Sequence, residues 1–293
     1  CHNTGSGYNA LTSNTTAHRN TASGYAALFA NTTGACNTAV GSCAGCGNTT
    51  GAHNVFMGHN AAKVNSTGSK NVAVGDHALH LSTTSSYNTA VGRAALYANT
   101  TGAYNVAVGT NSLDANTTGL ANTTSGYASM GATTSGNYNV ASGYLSALSN
   151  TTGCQNVAIG SQSLRNNTTA KYNTAVGACS LHDNTTGTCN VGFGYLALDD
   201  VTTGSKNIAM GRAAGGNLTT GSCNVVLGTD AEPSAADGVN QIVIGFGGAG
   251  LGDNQTVIGN SSTTNTTIYG TISAPDGTFG AIMENNVASP EVA

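Results

Sequence analysis

Apolar and polar residues alternate in a short segment that recurs along the chain with a 17-residue period. An Asn stands at each of 14 positions from Asn3 to Asn224, and a Gly follows at the fourth position after each one. A fixed period of roughly 20 residues is typical of a solenoid, in which each repeat forms one turn stacked on its neighbours. The period therefore predicts an elongated body built from one repeated turn.

One turn is represented by residues 99–115, which read NTTGAYNVAVGTNSLDA and are numbered here as positions 1 to 17. Position 8 is β-branched in every turn and position 10 is mostly apolar, an alternation that predicts a β-strand. Position 15 is Leu or Met in most turns. We therefore expect positions 8, 10 and 15 (Val106, Val108 and Leu113) to form the interior, and positions 12, 13 and 16 to be exposed.

Two corners are predicted in each turn. The Gly at position 11 is expected to end the strand with a positive φ or with no room for a side chain. The Asn at position 7 is expected to form a hydrogen-bonded ladder along the axis. Asn-Thr-Thr-Gly at positions 1–4 is typical of a second corner. The residues chosen to represent the ladder and the bend are Asn71, Asn105, Asn156, Gly75, Gly109 and Gly160. Together these features predict an all-β, parallel β-solenoid of small cross-section.

Position 9 is Ala in most turns, for example at Ala73, Ala107 and Ala158. Because it lies between two positions expected to point inward, it is predicted to face outward. A column of small apolar residues on the outside indicates a surface packed against another chain, and closed cyclic symmetry is the usual way to bury such a column. The alternative is an exposed alanine stripe without a partner.

The strings Asn-Val-Ala-Val-Gly at 105–109 and Asn-Val-Ala-Ile-Gly at 156–160 resemble the head repeats of trimeric autotransporter adhesins and similar repeats in bacteriophage tail-fibre proteins. The resemblance covers residues 3–259. It implies a left-handed parallel β-roll, with three chains to a fibre and the Val and Ile side chains inside each roll. This chain has a 17-residue period instead of the 14-residue period usual in the adhesin heads, so a corner must be longer.

The spacing shortens near the end of the chain, where the interval from Asn240 to Asn254 is a 14-residue step. We therefore divide the sequence into a 17-residue-repeat solenoid at 1–234, shorter repeats at 235–261 and a junction segment at 262–293. The first turn begins at its fifth position with Cys1, which indicates a processed protein or the ordered part of a longer one.

Charge is scarce, since only 7% of residues are charged and the net charge is −4. This excludes a basic surface for nucleic acid. No apolar run approaches the ~18 residues that a membrane-spanning helix needs. Such a composition also occurs in disordered tracts, but a disordered chain has no reason to keep an unbroken period.

The sequence predicts no catalytic, cofactor or metal site. The 12 acidic residues are scattered and the seven histidines lie mostly at variable positions. His77 and His80 have no Cys nearby at zinc-binding spacing. Eight cysteines are present, but no two share a position in adjacent turns, which excludes a vertical stack of disulfides. Bridges within a turn, diagonal bridges and bridges between chains stay open.

The Thr-Thr pair at positions 2 and 3 recurs along the chain, and the preceding Asn makes it an Asn-x-Thr glycosylation acceptor. At least one threonine of each pair should face solvent. The pair can be simple corner chemistry, a column of glycans or, as a remote alternative, an ice-binding row. The residues chosen as glycosylation candidates are Thr32, Thr33, Thr100, Thr101, Thr151, Thr152, Asn31, Asn99 and Asn150.

Two functions compete on this evidence. The first is a non-enzymatic extracellular or virion fibre, a structural shaft that binds a carbohydrate or protein receptor on a cell surface. The second is a glycosylated structural fibril assembled end to end. In both, the main partner is the chain itself, as a homotrimer or a head-to-tail fibre, and the location is outside the cell.

Overall fold

The computed structural model describes residues 2–267 and is a parallel β-solenoid, as predicted. Sixteen short strands form one sheet in which each strand pairs in parallel with the next along the chain. No α-helix occurs in this described part. The strands are β1 (Thr4–Ser6), β2 (Thr21–Ser23), β3 (Thr38–Val40), β4 (Val55–Met57), β5 (Val72–Val74), β6 (Thr89–Val91), β7 (Val106–Val108), β8 (Thr123–Ser125), β9 (Val140–Ser142), β10 (Val157–Ile159), β11 (Thr174–Val176), β12 (Val191–Phe193), β13 (Ile208–Met210), β14 (Val225–Leu227), β15 (Ile242–Ile244) and β16 (Thr256–Ile258).

The strands are stacked in register, so that equivalent positions of successive turns lie directly above one another. Val106 pairs with Thr123, the equivalent residue of the next turn, and the same spacing holds from β1 to β15. The last step is shorter, because Ile242 pairs with Thr256. Fifteen steps at about 4.8 Å give the stack a length of about 70 Å.

The compact unit that contains all the strands ends at Ser262, and a second unit begins at Thr263. Residues 263–267 have no regular secondary structure. The rest of the predicted junction segment lies outside the described residues.

The strand side chains point in the opposite phase to the one predicted. Ala107 at position 9 is 0% exposed, whereas Val106 and Val108 on either side are 36% and 41% exposed. The prediction that positions 8 and 10 form the interior is therefore wrong. The Val and Ile side chains at these positions do not fill the inside of the turn as the resemblance implied; Val is inside only where it takes position 9, at Val226 and Val243. Leu113 at position 15 is fully buried, as predicted.

The physical reason is the small cross-section of the turn. A Leu at position 15 already fills most of the space that one turn encloses, and only a small residue fits opposite it. Position 9 is alanine in most turns. Position 14 is a second small residue on the inside, and Ala95 and Ser112 at this position are fully buried. Period-two alternation has two possible phases, and β-branched residues suit either face of a strand.

The glycine at position 11 makes the bend that ends each strand. Its φ lies between +129° and +141° from Gly7 to Gly245, a region that L residues rarely adopt. A Cβ on Gly109 would also collide with the backbone carbonyl oxygen of Gly126 in the next turn. Both reasons predicted for glycine at this corner therefore apply.

The asparagine at position 7 links neighbouring turns from inside the corner. The backbone N–H of Asn105 donates to Asn88 Oδ1 at 2.9 Å, and Asn105 Nδ2 donates to the carbonyl oxygen of Gly119 at 2.8 Å. Asn71 and Asn156 make the equivalent bonds and are likewise buried. Because buried polar groups must find partners, this ladder explains the Asn at the corner in the turns of β1 to β14; Gln241 continues it before β15, where its N–H donates to Asn224 Oδ1.

A second ladder, which the sequence analysis did not predict, runs through position 1. Asn116 Nδ2 donates to Asn99 Oδ1 at 2.7 Å and to the carbonyl oxygen of Gly119 at 3.0 Å. The ladder is interrupted where another residue replaces Asn at position 1, namely at Ser82, Thr133, Val201 and Leu218. Asn65, Asn116 and Asn184 lie one turn before Ser82, Thr133 and Val201, respectively. Their Oδ1 atoms have no hydrogen-bond partner.

Repairing one interruption should stabilise the solenoid. In Thr133→Asn, the new amide can donate to Asn116 Oδ1 and accept from Asn150 Nδ2, whose present bond to Thr133 Oγ1 is long at 3.4 Å. Satisfying a buried acceptor of this kind contributes about 1–3 kcal/mol. We therefore expect a higher midpoint in urea denaturation followed by circular dichroism.

Val201→Asn is the matched control for this prediction. Its amide could donate to Asn184 Oδ1, but Leu218 occupies position 1 of the next turn, so the new Oδ1 would itself be left without a donor. No net gain is expected. Equal stabilisation by the two substitutions would contradict the view that the unpaired oxygens cost stability.

Candidate functional site

The surface most unlike that of an ordinary soluble protein is the strand face, which we define as the outward side chains at positions 8 and 10 of β1–β16. In-register stacking arranges these side chains in two parallel rows along the axis. Its exposed large apolar members are Val40, Met57, Val106, Val108, Val140, Ile159, Phe193, Ile208, Met210, Ile242 and Ile258. Contiguous exposed apolar surface of this kind marks interaction sites in soluble proteins.

The polarity of the strand face changes along the stack. Strands β1 (Thr4–Ser6), β2 (Thr21–Ser23) and β8 (Thr123–Ser125) present Thr and Ser at both outward positions. Strands β3, β6, β9 and β11 present one polar and one apolar residue. From β12 (Val191–Phe193) to β15 (Ile242–Ile244) all outward side chains are apolar. The apolar character is thus concentrated in the C-terminal third of the stack.

The alanine column predicted to meet another chain lies inside the turn. Ala73, Ala107 and Ala158 are each 0% exposed and belong to the hydrophobic core. The prediction that they face outward is wrong, because the strand has the opposite phase. A neighbouring chain can reach positions 8 and 10 but not position 9.

The two threonines of the Thr-Thr corner have different environments. The first donates its hydroxyl at 3.0 Å to the carbonyl oxygen of the position 2 residue in the next turn, as in Thr32, Thr100 and Thr151. The second is accessible to solvent at Thr33, Thr101 and Thr152. One threonine of each pair therefore faces solvent, as predicted. These three stay candidates for glycan attachment.

The asparagines of the same corner are not accessible. Asn31, Asn99 and Asn150 are at most 1% exposed. Each Nδ2 donates to the carbonyl oxygen of the residue three positions later, at 2.9 to 3.1 Å. The prediction of N-linked glycans at these three positions is wrong for the folded turn, because a glycan would break this bond and has no space inside the solenoid.

Tyrosines form exposed stacked pairs on adjacent turns. Their ring centroids are 5.0 to 5.7 Å apart and their planes differ by 13° to 17°. The pairs are Tyr8 with Tyr25, Tyr87 with Tyr104, and Tyr127 with Tyr144. Each of these tyrosines is at least 45% exposed. Tyrosine is enriched in the contact surfaces of protein complexes, so these pairs are candidate contact points for a partner.

The seven cysteines in the described part of the chain are unpaired. Cys43 and Cys46 lie on one turn, beside a depression of about 450 Å³ whose lining includes Tyr25, Phe29 and Lys63. Burial raises the pKa of the Cys46 thiol to about 11. This thiol is therefore protonated at neutral pH, which disfavours both nucleophilic attack and ready oxidation.

A cluster of titratable groups occurs at positions 12 and 13 of two adjacent turns. Asp76 Oδ1 lies 3.0 Å from His59 Nδ1 and 2.9 Å from His77 Nδ1. Hydrogen bonds from His59 and then His77 hold the pKa of the Asp76 carboxyl below its usual range. Spacing along the chain does not reveal this cluster, because stacking joins residues that are one full turn apart.

Comparisons with protein-family models and with curated proteins found no match for this chain. In the part of the chain that the structure describes, no helix is long and apolar enough to cross a lipid bilayer.

Proposed function

We propose that this chain is the shaft of a non-enzymatic, homo-oligomeric fibre that acts outside the cell or on a virion and has an adhesive role. The observation that carries the proposal is the strand face, two rows of uncharged outward side chains that are entirely apolar from β12 (Val191–Phe193) to β15 (Ile242–Ile244). A structural shaft needs such a lateral surface to hold its chains together.

The strand face suits a second copy of the same chain better than an unrelated partner. A copy related by cyclic symmetry presents the same row at the same spacing, so apolar side chains meet apolar side chains along the stack. Burying a large aliphatic or aromatic side chain contributes about 1.5–3 kcal/mol. None of the outward residues of β1–β16 is charged, so no like charges oppose this contact.

The adhesive role is supported by the exposed tyrosine pairs. They lie at positions 6 and 12, away from the strand face, and so stay accessible when the shaft assembles. A stacked tyrosine pair offers a flat apolar surface with hydroxyl groups at its edge, which fits a carbohydrate or a protein receptor.

Lysine on the strand face should disperse the oligomer. Phe193 and Met210, on adjacent turns, are 50% and 51% exposed and make little contact with the interior. In Phe193→Lys/Met210→Lys, two desolvated charges would lie in the contact between chains. We expect the parent protein to sediment as an oligomer and the double variant as a single 28.9 kDa chain with unchanged circular dichroism.

Tyr172→Lys/Tyr195→Lys is the matched control, since these tyrosines are 54% and 53% exposed but lie off the strand face. This variant should sediment like the parent. A monomeric parent protein, or an oligomer that survives the strand-face substitutions, would disprove the proposed lateral contact.

A further inference from the structure

The cluster of His59, Asp76 and His77 has the donor atoms of a metal site. One ligand atom from each of the three residues lies within 4.8 Å of the other two. In tetrahedral zinc sites, metal–nitrogen distances of about 2.0 Å place neighbouring ligand atoms about 3.3 Å apart. The present 2.9 and 3.0 Å contacts of Asp76 Oδ1 with the two imidazoles therefore need to open by only a few tenths of an ångström.

The backbone holds these three side chains in place. Position 12 of one turn, His59, stacks on position 12 of the next, Asp76, and the N–H of His77 donates to the carbonyl oxygen of His59 at 3.0 Å. Because neighbouring turns are joined in register by backbone hydrogen bonds, the stacked corners that follow β4 and β5 hold the ligands in place. The side chains of His59, Asp76 and His77 are 56%, 46% and 33% exposed, so an ion can reach them from solvent.

One outer contact of the type that metal-bound histidines make is available to His77. The amide nitrogen of Asn60 lies 3.3 Å from His77 Nε2. When Nδ1 of His77 binds a metal, the proton of the neutral imidazole resides on Nε2, and the amide oxygen of Asn60 can accept it once the amide is turned. The same amide lies 3.1 to 3.3 Å from both ring nitrogens of His59, beside that ring and out of line with its N–H. Arg93 Nε lies 4.0 Å from Asp76 Oδ2, so its positive charge is nearest that oxygen while Oδ1 contacts the two imidazoles.

The donor set selects a class of ion. Two imidazole nitrogens and one carboxylate oxygen suit zinc, nickel or copper, whereas magnesium and calcium require mainly oxygen ligands. Within the described residues this is the one cluster of three such donors. The other adjacent histidine–aspartate pair, His182 with Asp183, lacks a third ligand.

We propose that His59, Asp76 and His77 form a binding site for one divalent transition-metal ion, zinc in the first instance. Solvent completes the coordination. Since the ligands come from two neighbouring turns, the bound ion fastens β4 (Val55–Met57) and β5 (Val72–Val74) together at the corner that follows the strands.

The test uses the full chain without a histidine tag, freed of metal by a chelator and titrated with zinc chloride in a calorimeter. We expect one zinc ion per chain and a rise in melting temperature on zinc addition, because a ligand that binds only the folded state stabilises it. Asp76→Asn and His77→Ala should each weaken zinc binding more than about tenfold and abolish the rise. His182→Ala should leave both properties as in the parent.

Cysteine is the main competing ligand, so cobalt(II) serves as a second probe. Nitrogen and oxygen ligation gives weak visible bands without thiolate-to-cobalt charge transfer, and we expect that spectrum in both the parent and Cys43→Ser/Cys46→Ser. A strong charge-transfer band, or binding that is lost in the cysteine variant and kept in Asp76→Asn, would overturn the proposal. Absence of any zinc heat in a protein with parent-like circular dichroism would overturn it equally.

Discussion

Gly109→Ala is expected to open the solenoid locally and to cost more than about 3 kcal/mol. The φ of +132° at this position is unfavourable for any residue with a Cβ, which alone costs about 1–3 kcal/mol. The new methyl group would also collide with the carbonyl oxygen of Gly126, a backbone atom that cannot move without breaking the pairing of β7 with β8. The two penalties add, because no single shift of the chain relieves both.

Hydrogen exchange is the suitable measurement, since stability in a repeat protein is a sum of local terms. Amides in β7 (Val106–Val108) and β8 (Thr123–Ser125) should lose protection, while those in β2 and β13 keep it. Gly247→Ala is the matched control. Gly247 also has a positive φ, +57°, but a Cβ there would meet nothing within 4 Å. If the two variants lose the same protection, the close approach of the turns at position 11 has no energetic role.

Phe56→Ala is expected to cost about 3–5 kcal/mol, the usual range for removing a fully buried aromatic ring. Phe56 occupies position 9, where most turns have Ala, and it is 0% exposed. Its ring fills the space left by Gly45, which replaces the usual Leu at position 15 of the preceding turn. A Cβ on Gly45 would collide with that ring. The two unusual residues are therefore a matched pair.

This pairing makes the double variant more informative than the single one. Gly45→Leu alone should destabilise the protein by overpacking. Combined with Phe56→Ala, it gives the turn of Gly45 the usual pair of Ala39 and Leu, and the φ of +58° at Gly45 is close to the +53° that Leu113 adopts. Position 15 of the Phe56 turn is Ala62, which stays small, so we expect the double variant to regain part of the lost stability in urea denaturation. Tyr195→Ala, which removes a ring that is 53% exposed and lies off the strand face, should change the stability of the parent little. If the stability losses of the two single variants add in the double variant, Phe56 does not fill the space left by Gly45.

The sequence was sufficient to predict the fold and insufficient to predict which strand face is buried. Asn105 and Gly109 are required by the backbone itself, one for its hydrogen bonds and the other for its φ, and these requirements repeat from the turn of β1 to the turn of β14. Val106, Ala107 and Val108 are constrained only by volume. Hydrophobicity favoured the valines for the interior, but the enclosed space admits only the alanine. A volume estimate that included Leu113 would have indicated the correct phase.

The histidine–aspartate cluster could have been found once the sequence was written with one repeat per row. His59 and Asp76 then share a column, and His77 stands beside Asp76. The 3.0 Å contact between His59 and Asp76 follows from the stacking of successive turns, whereas the rotamers that turn both imidazoles toward Asp76 Oδ1 are not encoded by spacing. The period therefore indicates which residues are neighbours, and only the structure gives their geometry.

Each strand pairs only with the strand before it and the strand after it. The number of repeats therefore sets the length of the stack. Losing or duplicating one complete repeat removes or adds one whole layer and leaves every remaining junction as it was. The rod can thus vary in length in discrete increments of about 4.8 Å. The shorter step from β15 (Ile242–Ile244) to β16 (Thr256–Ile258) shows that a corner can contract while the pairing continues. Genetic slippage between near-identical repeats would therefore change how far the protein extends and would create only one new junction between turns.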